Sequence, residues 1–127
     1  KGAASKLERR LRLSPGNHPL TMAYAHALQQ AGQAPLAEEV LISQSRLKPD
    51  DPALWYLLAE VQGLSGNIIG LHQSRAEYFI LTGNLDSAQR QLSYALKLIG
   101  NKDFTTSAQI NERLNQIMAM RRSLDDR

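Results

Sequence analysis

The sequence predicts an all-α solenoid of stacked antiparallel helix pairs, closed by a longer capping helix near its carboxy-terminal end. Three observations carry that reading. Helix-stopping residues recur at a fixed interval, with Pro15, Gly32, Pro49, Gly66, Gly83 and Gly100 each 17 residues from the next. Between the stops, apolar residues return at the three- and four-residue spacing of one helix face. Leu, Ala, Gln and Arg dominate the composition, and all four are good helix formers. Aromatic residues are only 6% of the chain, too few for the alternating aromatic and β-branched runs that mark strands.

Taken in order, residues 1–15 place Leu7, Leu11 and Leu13 beside Lys6, Arg9, Arg10 and Arg12. That basic run reads as the solvated face of a helix. Leu20, Ala23, Tyr24, Ala27, Leu28 and Ala31 form the next stripe, followed by Ala37, Val40, Leu41 and Leu47. Leu54, Leu57, Leu58 and Val61 make the next, and Leu85, Ala88, Leu92, Ala95, Leu96 and Ile99 another. Ile110, Leu114, Ile117, Met118 and Leu124 complete the series on a last helix near 104–124. The stops carry turn-forming partners, Gly16-Asn17, Gln33, Asp50-Asp51, Asn67, Asn84 and Asn101, and Gly and Asn tolerate the left-handed geometry that ends a helix. Each helix between stops has roughly 13 residues, too short to be stable alone. Stability therefore has to come from stacking on neighbours, which is the physics of a solenoid.

Two 17-residue steps make 34, the period of the tetratricopeptide repeat, which this chain resembles. The unit at 18–51 has small Ala25 on its first helix, Gly32 at the turn, Ala37 and Leu41 on the second helix, and Pro49 as terminator. From residue 52 the pattern restarts with Trp55 at the large-aromatic position, Leu58-Ala59 and Gly66. Upstream, Ala3, Leu7 and Pro15 precede Ala37, Leu41 and Pro49 by 34 residues, so 1–15 reads as the second half of a truncated repeat. The expected organisation is one domain over 1–127: this half-repeat, the repeat 18–51, repeats with a half-repeat shift over 52–100, and the cap at 104–124. On this reading the chain is a piece of a larger protein. The shift falls at 68–82, which occupies a second-helix slot although Ala76 and Gly83 resemble a first helix and Ala88, Leu92 and Ala95 its partner.

Charge and composition exclude several function classes. The balance of 15 basic against 12 acidic residues leaves +3, with no dense basic face of the kind nucleic-acid binders concentrate. No cysteine is present, which removes disulfides and thiolate metal sites. No apolar run approaches the roughly 20 residues of a membrane span, and the first residues lack a signal core.

A catalytic constellation is also missing. His18, His26 and His72 have neither a second histidine nor a carboxylate at helical metal-ligand spacing, and no HExxH occurs. His18 reads as part of an inter-repeat turn, and His26 and His72 as helix residues at a surface or interface. The glycines are spaced as helix stops and none clusters as a phosphate cradle. Ser43, Ser45 and Ser93 lack a neighbouring base, and Glu38-Glu39 and Asp50-Asp51 read as solvated turns and helix ends. The chain is expected to be non-enzymatic and to hold no cofactor or metal of its own.

What remains is surface. The first helices of such repeats line a groove that can hold an extended peptide or a neighbouring domain. In this register the expected protein-binding residues are Met22, His26, Gln29 and Gln30, then Tyr56, Glu60 and Leu64, then Gln73, Glu77, Ile80 and Leu81. The Lys/Asn/Arg set by which some repeat domains clamp a terminal carboxylate is absent, since Met22 and His26 hold the first of those positions.

A narrower resemblance lies in Gly66-Asn67-Ile68-Ile69-Gly70-Leu71-His72-Gln73-Ser74-Arg75-Ala76-Glu77-Tyr78-Phe79, with Leu81-Thr82-Gly83-Asn84, Ala88, Gln91-Leu92 and Ala95-Leu96. These residues, with Ala108-Gln109-Ile110-Asn111-Glu112-Arg113-Leu114, resemble the carboxy-terminal repeat domain of BepA/YfgC-type zinc metallopeptidases. The resemblance is specific only over about 66–114. It implies a periplasmic parent with a separate upstream catalytic domain that holds the zinc, acting in outer-membrane protein quality control. This chain would then bind substrate, the assembly machinery or its own peptidase domain, with His72, Arg75 and Glu77 as the expected docking cluster. A stand-alone scaffold of an envelope assembly or secretion system is the alternative, and a cytoplasmic location remains open with it.

Overall fold

The computed structural model describes residues 2–126. Seven helices follow one another there: α1 (Gly2–Leu13), α2 (His18–Gln30), α3 (Ala34–Leu47), α4 (Pro52–Ser65), α5 (Ile68–Leu81), α6 (Leu85–Ile99) and α7 (Phe104–Asp125). No strand occurs among the described residues. Each helix packs on the next in sequence, so contacts are local and the array is an all-α, tetratricopeptide-like solenoid with a long last helix.

The helix boundaries follow from capping chemistry. Gly66 ends α4 at φ 84°, a left-handed conformation that an L side chain adopts only with strain. The residue after it belongs to the following helix. Asn67 has φ −89° and accepts from the Gly70 amide at 3.0 Å, and Asn84 has φ −106° and accepts from Ser87 at 3.1 Å. These asparagines thus start helices, whereas the sequence reading took them as part of the stop. Asn17, Asp51 and Asp103 cap α2, α4 and α7 in the same way, while Asn101 caps nothing. Pro19, Pro35 and Pro52 sit in the first two positions of their helices, where a missing N–H costs nothing. His18 is likewise the first residue of α2, rather than a turn residue.

Two apolar cores form. The first joins α1 to α4 through Ala25, Leu28, Ala37, Leu41, Leu54, Leu58 and Val61, with Trp55 packed on its flank. Trp55 also donates its indole N–H to the Pro49 carbonyl at 2.8 Å, which ties α4 to the turn before it. The second joins α5 to α7 through Ala76, Ala88, Leu92, Ala95, Ile99, Ile110 and Ile117. Buried residues at the same repeat position mark the phase. Ala25 and Ala59 are 34 residues apart, Ala59 and Ala76 only 17, and Ala76 and Ile110 again 34. The helix α5 therefore presents one side to α4 and another to α6.

A polar seam joins the two cores. Gln62 is 4% exposed and Ser74 2%, and the Ser74 hydroxyl donates to Gln62 Oε1 at 2.6 Å. Glu38 on α3 accepts from Ser65 at 2.9 Å, from Asn67 at 2.6 Å and, at 3.5 Å, from Gln62. No buried side-chain polar atom among the described residues lacks a partner, so the seam is satisfied despite its burial. Gly70 makes it possible. A Cβ there would lie 2.5 Å from Asn67 Nδ2 and 2.6 Å from Gln62 Nε2.

Several apolar positions of the sequence stripes are exposed. Leu13 and Leu47 are the final residues of their helices, and Met118 and Leu124 lie on the second half of α7. Ala23 and Ala31 also face outward. In α1, Ala4 is buried in place of Ala3, and Leu7 is half-buried. Among the described residues α1 packs on α2 alone, whereas Ala37 is wedged between two helices that hold its register. The run Lys6, Arg9, Arg10 and Arg12 is solvent-exposed.

Candidate functional site

Tyr56, Glu60 and Leu64 are four residues apart on α4 and so share one face of that helix. All three are exposed, Tyr56 by 58% and Leu64 by 66%. Opposite them, α5 supplies Leu71, Arg75, Tyr78 and Phe79, and the two helices enclose a cleft of about 420 Å³. Its aromatic wall is ordered by ring contacts. Tyr56 and Tyr78 are 5.6 Å apart between centroids, and Tyr78 meets Phe79 edge-on at 5.6 Å. Such tilted pairs hold large rings in fixed positions and leave their faces available. Gly63 shapes the floor: a Cβ there would stand 3.0 Å from Leu71 Cδ1 and fill part of the space. Neither Glu60 nor Arg75 has an ion-pair partner among the described residues.

The expected groove residues fall into two groups. On α2, Met22 and Gln29 are half-buried, with Met22 packed on the first core, and His26 and Gln30 are exposed. Gln73 and Glu77 do not join Tyr56 and Glu60. Two residues separate Arg75 from Glu77, about 200° of helical turn, so the two side chains leave α5 in opposite directions. Glu77 instead receives Arg113 of α7 in a bidentate pair at 2.9 and 2.8 Å. That contact holds the Arg113 guanidinium above its ordinary pKa, against the opposing effect of burial. Ile80 packs on the second core and Leu81 is exposed at the end of α5. The half-repeat shift is the cause: α5 turns its Gln73 and Glu77 side toward α7 and keeps Arg75 and Tyr78 beside α4.

The expected docking cluster is dispersed for the same reason. His72 bonds Gln91 on α6 at 2.7 Å and lies edge-on to Tyr94 at 5.5 Å, Arg75 lines the cleft, and Glu77 holds α7. Sequence reasoning missed Gly63, Leu71, Tyr78 and Phe79 as parts of a site. The usable signal was Gly63, a mid-helix glycine that costs about 1 kcal/mol of helix propensity and calls for a packing reason.

His18 has a positioning task. Its Nε2 is 2.6 Å from Asp51 Oδ2 and its Nδ1 is 3.0 Å from Gln44 Nε2. A proton on Nε2 satisfies both contacts, donating to Asp51 and accepting from the buried Gln44 amide. The starts of α2 and α4 are thereby tied to α3. The hydrogen bond from His18 is the main reason the Asp51 carboxyl is held below its ordinary pKa.

Among the described residues no group of three His, Asp or Glu side chains gathers to hold a metal ion. With His18 and His72 engaged by Gln and Asp partners and His26 alone on the surface, the donor set does not fit zinc. No helix of the described residues is long and apolar enough to cross a membrane.

Residues 1–61 match the family model described as Tetratricopeptide repeat, which supports a tetratricopeptide domain over the first core. The fold is a non-catalytic interaction scaffold of the kind that binds protein partners. No curated protein matches the chain.

Proposed function

We propose that this chain is a protein-binding module whose contact surface centres on the cleft between α4 and α5. The observation that carries the reading is the exposure of Tyr56 and Leu64 on the rim of a shaped, mostly apolar cleft. Interaction sites are enriched in aromatic residues and arginine, and both are concentrated here around one concavity. The finer reading is the substrate- or partner-binding domain of a periplasmic zinc metallopeptidase with chaperone-like activity. It is supported by the resemblance over about 66–114, which includes the α5 wall of the cleft. The zinc and the catalytic residues would belong to that separate domain, and no step of the chemistry is assigned to this chain. Partners would be the peptidase domain, outer-membrane proteins or their assembly machinery.

The test is a photo-crosslinking benzophenone side chain placed at Tyr56, with Glu112 on the exposed side of α7 as the control position. Protein adducts at 56 that are absent at 112 are expected. Adducts to a zinc peptidase or to outer-membrane proteins favour the finer reading, and adducts to secretion or pilus components favour a stand-alone scaffold. Equal labelling at both positions removes the cleft as the binding surface.

A further inference from the structure

We infer that the cleft recognises an extended partner segment through two bulky apolar side chains that straddle an uncharged residue, a reading that rests on the cleft being the binding surface. The cleft has three zones along its length. The antiparallel contacts fix their order, since Tyr56 meets Tyr78 and Gly63 meets Leu71. Between these contacts lie Glu60 on one wall and Arg75 on the other. The cleft thus has an aromatic end, a waist of opposite charges, and an aliphatic end formed by Leu64 and Leu71.

The two ends are set by residues eight apart on α4, about 12 Å of helix rise. An extended strand advances about 3.3 Å per residue, so same-side side chains four residues apart span about 13 Å and fit both ends. The residue midway between them faces the waist. There Glu60 is an acceptor and Arg75 a donor on opposite walls, which matches the N–H and C=O that an extended backbone presents to its two sides. A helical ligand has its own backbone groups paired and would leave both charges without partners. The opposite charges also cancel, so a charged residue at the midpoint would meet one like charge whichever sign it carried.

The experiment is selection of random linear peptides displayed on phage against the full chain. Enriched sequences are then synthesised and titrated by fluorescence anisotropy. The expected consensus is two bulky apolar residues four apart with an uncharged residue midway. Tyr56→Ala and Leu64→Ala should each weaken binding about tenfold, the loss of one buried anchor contact. Truncating the matching peptide anchor should then cost nothing further in that variant. Both positions are exposed, so circular dichroism should show both variants folded. A consensus of apolar residues seven apart, as on a helix, a single anchor, or a required charge at the midpoint overturns this inference and leaves the cleft as the binding surface. No enrichment, or binding indifferent to both Tyr56→Ala and Leu64→Ala, overturns both.

Discussion

Replacing Gly70 by alanine should destabilise the protein, although alanine is the better helix former. In an open helix the change gains about 1 kcal/mol. Here the new methyl lands 2.5 Å from Asn67 Nδ2 and 2.6 Å from Gln62 Nε2, and both groups are committed. Asn67 caps α5 through the Gly70 amide and also donates to Glu38. Gln62 accepts from the buried Ser74 hydroxyl. Losing a cap costs about 1 kcal/mol, and leaving a buried hydroxyl short of its partner costs about 1–3 kcal/mol. The net expectation is a loss of about 1–2 kcal/mol, a drop in melting temperature of roughly 4–8 °C for a domain of this size. Thermal and urea unfolding followed by far-UV circular dichroism measure it. Gly63→Ala is the internal control, because its closest contact is the Leu71 methyl at 3.0 Å, the free end of a half-buried side chain. That variant should be neutral or more stable by up to about 1 kcal/mol. If Gly70→Ala melts at or above the unsubstituted protein, the polar seam does not hold the two cores as argued.

Asp51→Asn keeps a capping oxygen for Ala53 but removes the charged partner of His18. A carboxyl held below its ordinary pKa stabilises the fold fully above the unfolded value and loses that contribution as pH falls through the folded value. The unsubstituted protein should therefore be more stable by about 1–2 kcal/mol near neutrality, with the gap closing below about pH 4 in urea titrations run across pH. Arg113→Ala should weaken the seat of α7 by about 1–2 kcal/mol, because it breaks a partly buried bidentate pair with Glu77. Faster amide exchange confined to α7 is the expected sign, and unchanged exchange there counts against the pair as its anchor. Leu92→Ala, deep in the second core, should cost about 2–5 kcal/mol, whereas Leu64→Ala on the cleft rim should change the urea midpoint little.

The sequence by itself determined the class and the rhythm of this protein. Stops at 17-residue intervals and apolar residues at helical spacing are local signals, because a helix end depends on the few residues that cap or break it. Ala25, Ala37, Leu41, Ala88, Leu92 and Ile110 are buried as their spacing required, since helical periodicity selects one face irrespective of its partner. The shift near 68–82 was visible too, as Ala76 standing where a second helix was due.

Only the tertiary structure decided which way each face of α5 points. A helix with partners on two sides has no single apolar stripe to read, and Gly70, Ser74 and Ala76 are small or polar, so their burial leaves no hydrophobic mark. The groove drawn from sequence therefore joined Gln73 and Glu77 to Tyr56 and Glu60, although the structure turns the first pair toward α7. The cleft was hidden for a related reason. It exists because α4 and α5 bring Tyr56 against Tyr78 and leave room over Gly63, and that juxtaposition depends on the packing of two helices. Local chemistry set where each helix starts and stops, and the packing of small and polar residues between helices set where the binding surface lies.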